Sequence, residues 1–372
     1  MTPFLFLALA KHQAIYFKRL LEETDLSGKV LSPAQMPLPR LWRLPAIMAR
    51  LDWSALIEEK CQERRVKRKY EGLLYRLLLR LELAWVALRV DALLYRERPA
   101  HVVMWNGSHR YCQLLLALRP EGCGTFFFEN GLLPDTTTVD FKGVNYRNSV
   151  PRNADFYRNY QPAEGASEAR LELIPRASRK KGLKSVSLPK RYVFIPFQDD
   201  RDTQVRLFSP WISDMRQLFE LGKRLSDECG LTVVFKEHPS SRENYPELHA
   251  QTHERLLFAN GNSTQELIES SEFVVTINST VGLEALLLGK PVMTLGQAFF
   301  NVSGLVVHAN SADEMLKLAG RFPQWSLEPS VREGFLRYLA ADYCIQGDWR
   351  AADSAQLRRV AQRMLTLSGA LK

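Results

Sequence analysis

Cysteine is sparse in this 372-residue chain and forms no pattern. Cys61, Cys112, Cys123, Cys229 and Cys344 give neither a CxxC pair nor a Cys/His metal spacing. An odd, scattered set reads as the reduced thiols of a cytosolic protein. Long apolar runs are also missing. The longest uncharged stretch, PVMTLGQAFFNVSGLVVHANSA, is broken by Pro, Gly, Asn and His, which argues against a membrane span. The opening MTPFLFLALAKHQ lacks a basic region ahead of its short apolar run. It reads as a poor signal peptide and a good first β-strand. No GxGxxG, GxxxxGKS or GxxxxGKT occurs, so dinucleotide and P-loop readings are weak. Aromatics are not interleaved with the basic runs, which disfavours nucleic acid as a partner.

Charge is what the chain has in excess, and it is lopsided. Up to Lys190 there are 31 Lys/Arg against 19 Asp/Glu, and the remainder has 19 against 22. A basic first half points to an anionic partner such as a membrane surface or an acidic glycan; the plainer reading is a solvated basic face.

In the second half, short apolar runs alternate with helical patterns. YVFIPF, LTVVFK, RLLFA, FVVTI, PVMTL and LVVHA read as strands, separated by helices such as SPWISDMRQLFELGKRLSDECG, with Ser209 as N-cap, Pro210 at N1 and Gly230 closing it. That order predicts a parallel, doubly wound sheet. The first half is α/β but more helical, with strands FLFLAL, HVVMW and TFFFE and a long helical region over 46–98. The expected organisation is an N-terminal α/β domain with a helical insertion (1–165), a linker (166–189), a Rossmann-like domain (190–325) and C-terminal helices that pack back on the first domain (326–372). Two such domains facing across a cleft resemble the GT-B-like architecture of two-domain nucleotide-sugar glycosyltransferases, which implies an acceptor role for the first domain, a nucleotide-sugar role for the second and ligands at the strand C-termini.

Four stretches carry the candidate chemistry. In FIPFQDDRDTQ, three aspartates follow a strand, with Gln198 just before them. In FKEHPSS, Lys236 and His238 sit where a strand ends and Pro239 stops it; they suit a phosphate, or else form a plain turn. In TINSTVGLEALLLGKPV, Asn278, Ser279 and Thr280 fall at a helix N-terminus, where hydroxyls and free amides favour an anion or simply cap the helix. Glu284, one turn in, could accept from ribose hydroxyls. In FFFENG, Glu129 follows three phenylalanines, so desolvation should raise its pKa; a salt-bridged turn acid is the alternative. The loop VDFKGVNYRNSVPR offers Asn145, Ser149 and Arg152 to a polar, acidic sugar.

Together, FFENGLLPDTTTVDFKGVNYRNSVPR, FIPFQDDRDTQVRLFSP, FKEHPSS and INSTVGLEALLLGKPV resemble the bacterial capsule polysaccharide biosynthesis family, the retaining β-Kdo glycosyltransferases. The resemblance spans about 126–292. It implies transfer of the acidic sugar Kdo from CMP-β-Kdo to a glycan or lipid-linked acceptor, by double displacement and without a metal or other cofactor. It gives Asp202 the nucleophile's place, with Asp200 the next candidate, and makes Glu129 the base that activates the acceptor. His238 and Lys236 would hold the CMP phosphate, with Pro239, Asn278, Ser279, Thr280 and Glu284 completing the cytidine site; Gln198, Asn145, Ser149 and Arg152 would meet the sugar or acceptor. The acceptor is a lipid-anchored linker or an O-antigen end. The basic half and the Arg/Leu helix suit peripheral contact with an anionic inner membrane from the cytoplasm, although a core helix would look the same. Another nucleotide sugar as donor, or a non-catalytic subunit of capsule assembly or export, are the competing readings.

Overall fold

The computed structural model describes residues 2–162, 171, 183–241 and 243–370. Of the linker expected at 166–189, only 171 and 183–189 fall among them. The chain forms two compact units: unit 1 is Met1–Ser149 with Tyr343–Lys372, and unit 2 is Val150–Asp342. Both are Rossmann-like α/β sheets.

Unit 1 is built on β1 (Phe4–Leu7), β2 (Gly28–Leu31), β3 (His101–Trp105), β4 (Gly124–Asn130), β5 (Thr136–Asp140) and β12 (Cys344–Gln346), in the order β12-β5-β4-β3-β1-β2. The β2/β1/β3/β4 run is parallel, and β5 and β12 add antiparallel. Alternation along β4 sends Phe127 to the face covered by the Leu73–Glu97 helix, and Phe126 and Phe128 to the face covered by the Lys11–Glu22 and Ser354–Ala370 helices. Sequence reading found β1, β3 and β4 but not the short strands β2, β5 and β12.

Unit 2 holds β6 (Val193–Pro196), β7 (Val233–Lys236), β8 (Leu256–Phe258), β9 (Phe273–Thr276), β10 (Val292–Thr294) and β11 (Val307–His308), all parallel, in the order β11-β10-β9-β6-β7-β8. Every strand of this sheet matches an expected run. One helix start is corrected. Asp214, not Ser209, is the N-cap of Met215–Cys229, its carboxylate accepting from Gln217 N at 2.9 Å. Ser209 instead donates to Ile212 O. Gly230 closes that helix at φ +67°, a left-handed position that favours glycine.

The compact units divide the ends of the chain differently from the expected boundaries at 165 and 325. The Ala154–Arg158 helix packs on the Pro329–Tyr338 helix inside unit 2, with the Tyr157 and Phe335 rings 5.2 Å apart and Arg158 paired to Glu328 at 2.7 Å. The Ser354–Ala370 helix packs within unit 1 instead, where Gln356 Nε2 donates to Thr137 Oγ1 at 3.3 Å.

Candidate functional site

The strand order of unit 2 fixes where a ligand site can form. From β6 the chain winds out through β7 and β8, then returns to β9 and winds the other way through β10 and β11. The loops after β6 and β9 therefore diverge, and such a switch point is where open α/β sheets bind ligands, beyond the carboxyl ends of the strands. Loops after the three neighbouring strands β9, β6 and β7 carry Asn278–Thr280, Gln198–Asp202 and Lys236–Ser241. Three of the four sequence motifs thus meet on one rim of unit 2.

The three aspartates have three different jobs. Asp199 closes a turn by accepting from Arg201 N at 3.0 Å. Asp200 is 6% exposed, and its two oxygens accept from Met215 N at 2.9 Å and Tyr245 Oη at 3.0 Å. Burial raises its pKa, against the lowering effect of those two hydrogen bonds. Asp200 is therefore a buried tie between the Met215–Cys229 helix and Tyr245. Asp202 is exposed and N-caps the Thr203–Phe208 helix, accepting from Gln204 N at 3.0 Å. Arg201, between Asp200 and Asp202 in sequence, pairs with Glu243 at 2.8 Å.

Gln198 and Asn278, read as ligand-binding, are buried beneath the rim at 4% and 2% exposure. Gln198 Nε2 donates to Asn278 Oδ1 at 2.9 Å, and Asn278 N donates back to Gln198 Oε1 at 3.3 Å. Asn278 Nδ2 also donates to Gln204 O and Phe208 O, at 2.9 and 3.1 Å. Their amides are occupied in joining the loops after β6 and β9.

Lys236 is half-buried, and its ammonium donates to Asn260 O and Asn262 O. Burial lowers its pKa. His238 is half-buried beside exposed Pro239, its Nδ1 lying 3.3 Å from Ser240 Oγ. Ser279 N-caps the Thr280–Leu287 helix by accepting from Val281 N at 3.2 Å; Thr280 and Glu284 are half-buried on that helix. Sequence reading missed Arg206, whose Nη1 is buried without an acceptor among the described residues, as is Arg201 Nε. It also missed the buried carboxylate of Glu237, which meets His249 Nε2 at 2.7 Å.

In unit 1, Glu129 lies near the end of β4. Its three preceding phenylalanines point to both faces of the sheet and do not enclose it. The half-buried carboxylate accepts from Asn106 Nδ2 at 2.5 Å and from Asn130 N at 2.9 Å. Asn106 begins the turn after β3 at φ +60°, followed by Gly107 at φ +80°.

The loop after β5 is organised by a residue the sequence did not single out. Asp140 is 1% exposed. Its Oδ1 accepts from Lys142 N and Gly143 N at 2.7 and 3.1 Å. Its Oδ2 accepts from Ser149 N, Ser149 Oγ and Tyr343 Oη at 2.7, 2.8 and 2.8 Å. Ser149 thus turns its hydroxyl inward, while Asn145 opens the turn Asn145–Arg147 at φ +56°. Arg152 falls in unit 2, where it donates to Val150 O.

A pocket of about 470 Å³ also lies in unit 1, lined by His12, Ile15, Tyr16, Arg19, Trp349 and Arg350. Trp349 is its wall. The ring packs on Trp105 at 4.4 Å, Nε1 donates to Asn130 Oδ1 at 2.9 Å, and the Arg350 guanidinium lies 4.6 Å from the ring centre. Trp105 and Asn130 end β3 and β4, so this pocket too stands at the carboxyl ends of parallel strands. Nothing near position 12 in the sequence announces a partner at 349.

Residues 176–349 match the family model described as capsule polysaccharide biosynthesis protein. That match spans 174 of the 372 residues and supports the resemblance to capsule polysaccharide biosynthesis proteins. Protein FixF of Sinorhizobium fredii is 37% identical over 261 residues, covering 70% of this chain and 63% of FixF. Capsule polysaccharide export protein KpsS of Escherichia coli is 29% identical over 254 residues, covering 50% of this chain and 64% of KpsS. The chain thus spans less than two thirds of the length of these relatives. Among solved structures, KpsC of Thermosulfurimonas dismutans, a beta Kdo 2,7 transferase, shares the fold. Its TM-score is 0.53 at 15% identity, with 96% of this chain and 99% of that one covered.

Proposed function

We propose that this chain is a capsule-family protein and a retaining β-Kdo glycosyltransferase, moving Kdo from CMP-β-Kdo to a glycan or lipid-linked acceptor in capsule or lipopolysaccharide synthesis. One observation carries the reading. At the switch point of unit 2, one rim brings an exposed carboxylate, Asp202, together with His238, the Ser279 helix N-terminus and the unpaired guanidinium nitrogen of Arg206. A nucleophile beside several anion-binding groups suits a donor whose leaving group is a phosphate.

In this scheme Asp202 attacks the anomeric carbon, and the bond from that carbon to the phosphate oxygen breaks. CMP departs with the electron pair, its charge met by His238, Arg206 and the amide of Thr280 at the helix N-terminus. Lys236 supports the rim by pinning the Asn260–Asn262 loop. The acceptor hydroxyl then attacks the sugar from the opposite side, giving its proton to a base, a role for which the family resemblance offers Glu129, and Asp202 leaves as carboxylate. Two inversions give retention. The scheme routes no step through a metal. The pocket at Trp349 suits the acceptor, with an aromatic wall for a sugar face and arginines for an acidic group.

Intact-protein mass spectrometry with CMP-Kdo and no acceptor tests the reading. The expected result is a covalent Kdo adduct on wild type and on Asp200→Asn, and none on Asp202→Ala. Turnover of CMP-Kdo without any adduct would overturn double displacement. No turnover with CMP-Kdo, but turnover with a UDP-sugar, would move the chain to another donor. The similarity to the capsule polysaccharide export protein KpsS favours a second reading, an export subunit without catalysis. Full capsule production by Asp202→Ala cells would support that reading instead.

A further inference from the structure

One surface of unit 1 is out of keeping with an ordinary protein exterior. The helices Trp53–Val66 and Leu73–Glu97 form a hairpin joined by 67–72. The second helix buries Leu79, Leu83, Val86 and Val90 against the rest of the unit. On the same turns Leu73, Leu74, Leu77, Leu78, Leu81 and Trp85 are all exposed, from 50% at Trp85 to 86% at Leu73. At about 100° per residue these six fall within an arc of about 140°, opposite the buried stripe. They run for about 18 Å along the helix. Single exposed leucines are ordinary; an unbroken stripe of this length is not.

The apolar surface continues past the stripe. Segment 34–43 lies on the C-terminal half of the same helix, held by Arg89 donating to Ala34 O, Met36 O and Pro37 O, and by Arg43 meeting Asp91 at 3.4 Å. This segment exposes Leu38, Leu41 and Trp42, the last at 76%. Tyr70 at the hairpin turn and Trp85 bracket the leucines, and both are exposed. Amphipathic aromatic rings at the margins of an apolar band are the arrangement that suits the headgroup level of a bilayer.

Charge selects the occupant. Between Glu58 and Arg80 eight Lys/Arg stand against four Asp/Glu, and the tip of the hairpin reads RRVKRKY. Some of this charge is internally matched, since Arg65 and Arg76 meet Glu58 and Glu71, and Lys60 and Lys67 meet Glu63. Lys69 and Arg80 are exposed around the leucines. A second copy of this chain would bring the same positive charge to the face. An anionic lipid surface complements it. Among the described residues no helix is long and apolar enough to cross a membrane, so the fitting mode is attachment from one side.

We infer that the hairpin of unit 1 docks on an anionic phospholipid bilayer, with the leucine stripe in the headgroup and acyl boundary and the basic tip against the lipid phosphates. This goes beyond the transferase reading and does not depend on it. Such docking would hold the chain beside lipid-linked acceptors.

Co-sedimentation of the full chain with phosphatidylglycerol vesicles, and with phosphatidylcholine vesicles as control, tests it. Wild type is expected to pellet with the anionic vesicles and to be released as salt rises. Leu77→Gln/Leu81→Gln should weaken binding by about tenfold or more, with an unchanged unfolding midpoint because both side chains are exposed. Lys67→Glu/Lys69→Glu should flatten the salt dependence. Wild type remaining in the supernatant at low salt, or the double glutamine variant binding equally well, would overturn the inference. So would a dimer in sedimentation equilibrium that the glutamine variant abolishes, since a second copy would then cover the face.

Discussion

Gln198 and Asn278 satisfy each other across the divergence of β6 and β9. The side-chain amide of one donates to the amide oxygen of the other at 2.9 Å, and the backbone N–H of Asn278 returns the bond at 3.3 Å. The pair clamps the floor of the crevice, 80 residues apart in sequence. Each single alanine variant leaves buried polar groups unpartnered and is expected to cost about 1–3 kcal/mol. The double variant should cost less than the sum, by about 1 kcal/mol, because both remove one network. Urea unfolding of the four proteins measures the coupling. Strict additivity would mean that the two amides act independently.

Asp200 gives the rim a defined pH dependence. Its folded pKa is raised above 3.8 by burial. The folded state therefore holds the proton more tightly than the unfolded chain does. The stability this adds is complete below pH 3.8 and is lost as pH rises through the folded value. Asp200→Asn has nothing to titrate there. The stability of wild type relative to Asp200→Asn is thus expected to be most favourable at the acid end and to fall as pH rises. Unfolding midpoints of both proteins across that range give the slope, and a difference that grows with pH would mean that Tyr245 and Met215 outweigh burial.

Much of unit 2 was legible in the sequence. Its strands are buried on both faces, so they appear as short apolar runs bounded by turn residues. The strands missed in unit 1 had no such signal. β2 (GKVL) and β12 (CIQ) are short edges, and β5 (TTTVD) is rich in threonine. The rim motifs were legible as positions but less so as roles. Which aspartate is buried depends on Met215 and Tyr245, 15 and 45 residues further on. Asn278 looked like a ligand group because an amide at a helix N-terminus suits an anion; its burial against Gln198 is tertiary information. The same holds for Trp349, which reaches the Lys11–Glu22 helix only because the end of the chain belongs to unit 1.

Asp140 is the residue on which the loop after β5 depends. Five donors converge on its carboxylate, three of them backbone amides. An amide in its place cannot accept at both ends, so Asp140→Asn turns an NH₂ toward at least two donors. We expect a loss of about 2–4 kcal/mol. Amide exchange at Lys142, Gly143 and Ser149 should rise before that of β4. Tyr343→Phe, which removes one donor and leaves four, should cost about 1 kcal/mol. Unchanged exchange in Asp140→Asn would mean that the backbone of the loop holds its shape without the carboxylate.

Trp349 tests the assignment of the pocket under the transferase reading. The indole is fixed by Trp105 on one side and by the hydrogen bond to Asn130 Oδ1, so its position is set before any ligand arrives. A preformed aromatic wall acts on binding and not on bond breaking. Trp349→Ala is therefore expected to raise KM for the glycan acceptor by about tenfold, ~1.4 kcal/mol, with kcat little changed. Release of CMP from CMP-Kdo without acceptor should be unaffected. Trp349→Phe keeps an aromatic face but loses the bond to Asn130, and should fall between the two. Arg350→Ala should weaken acidic acceptors more than neutral ones. Equal loss of donor turnover in Trp349→Ala would show that the residue supports the fold of unit 1, and the pocket would lose its claim to the acceptor.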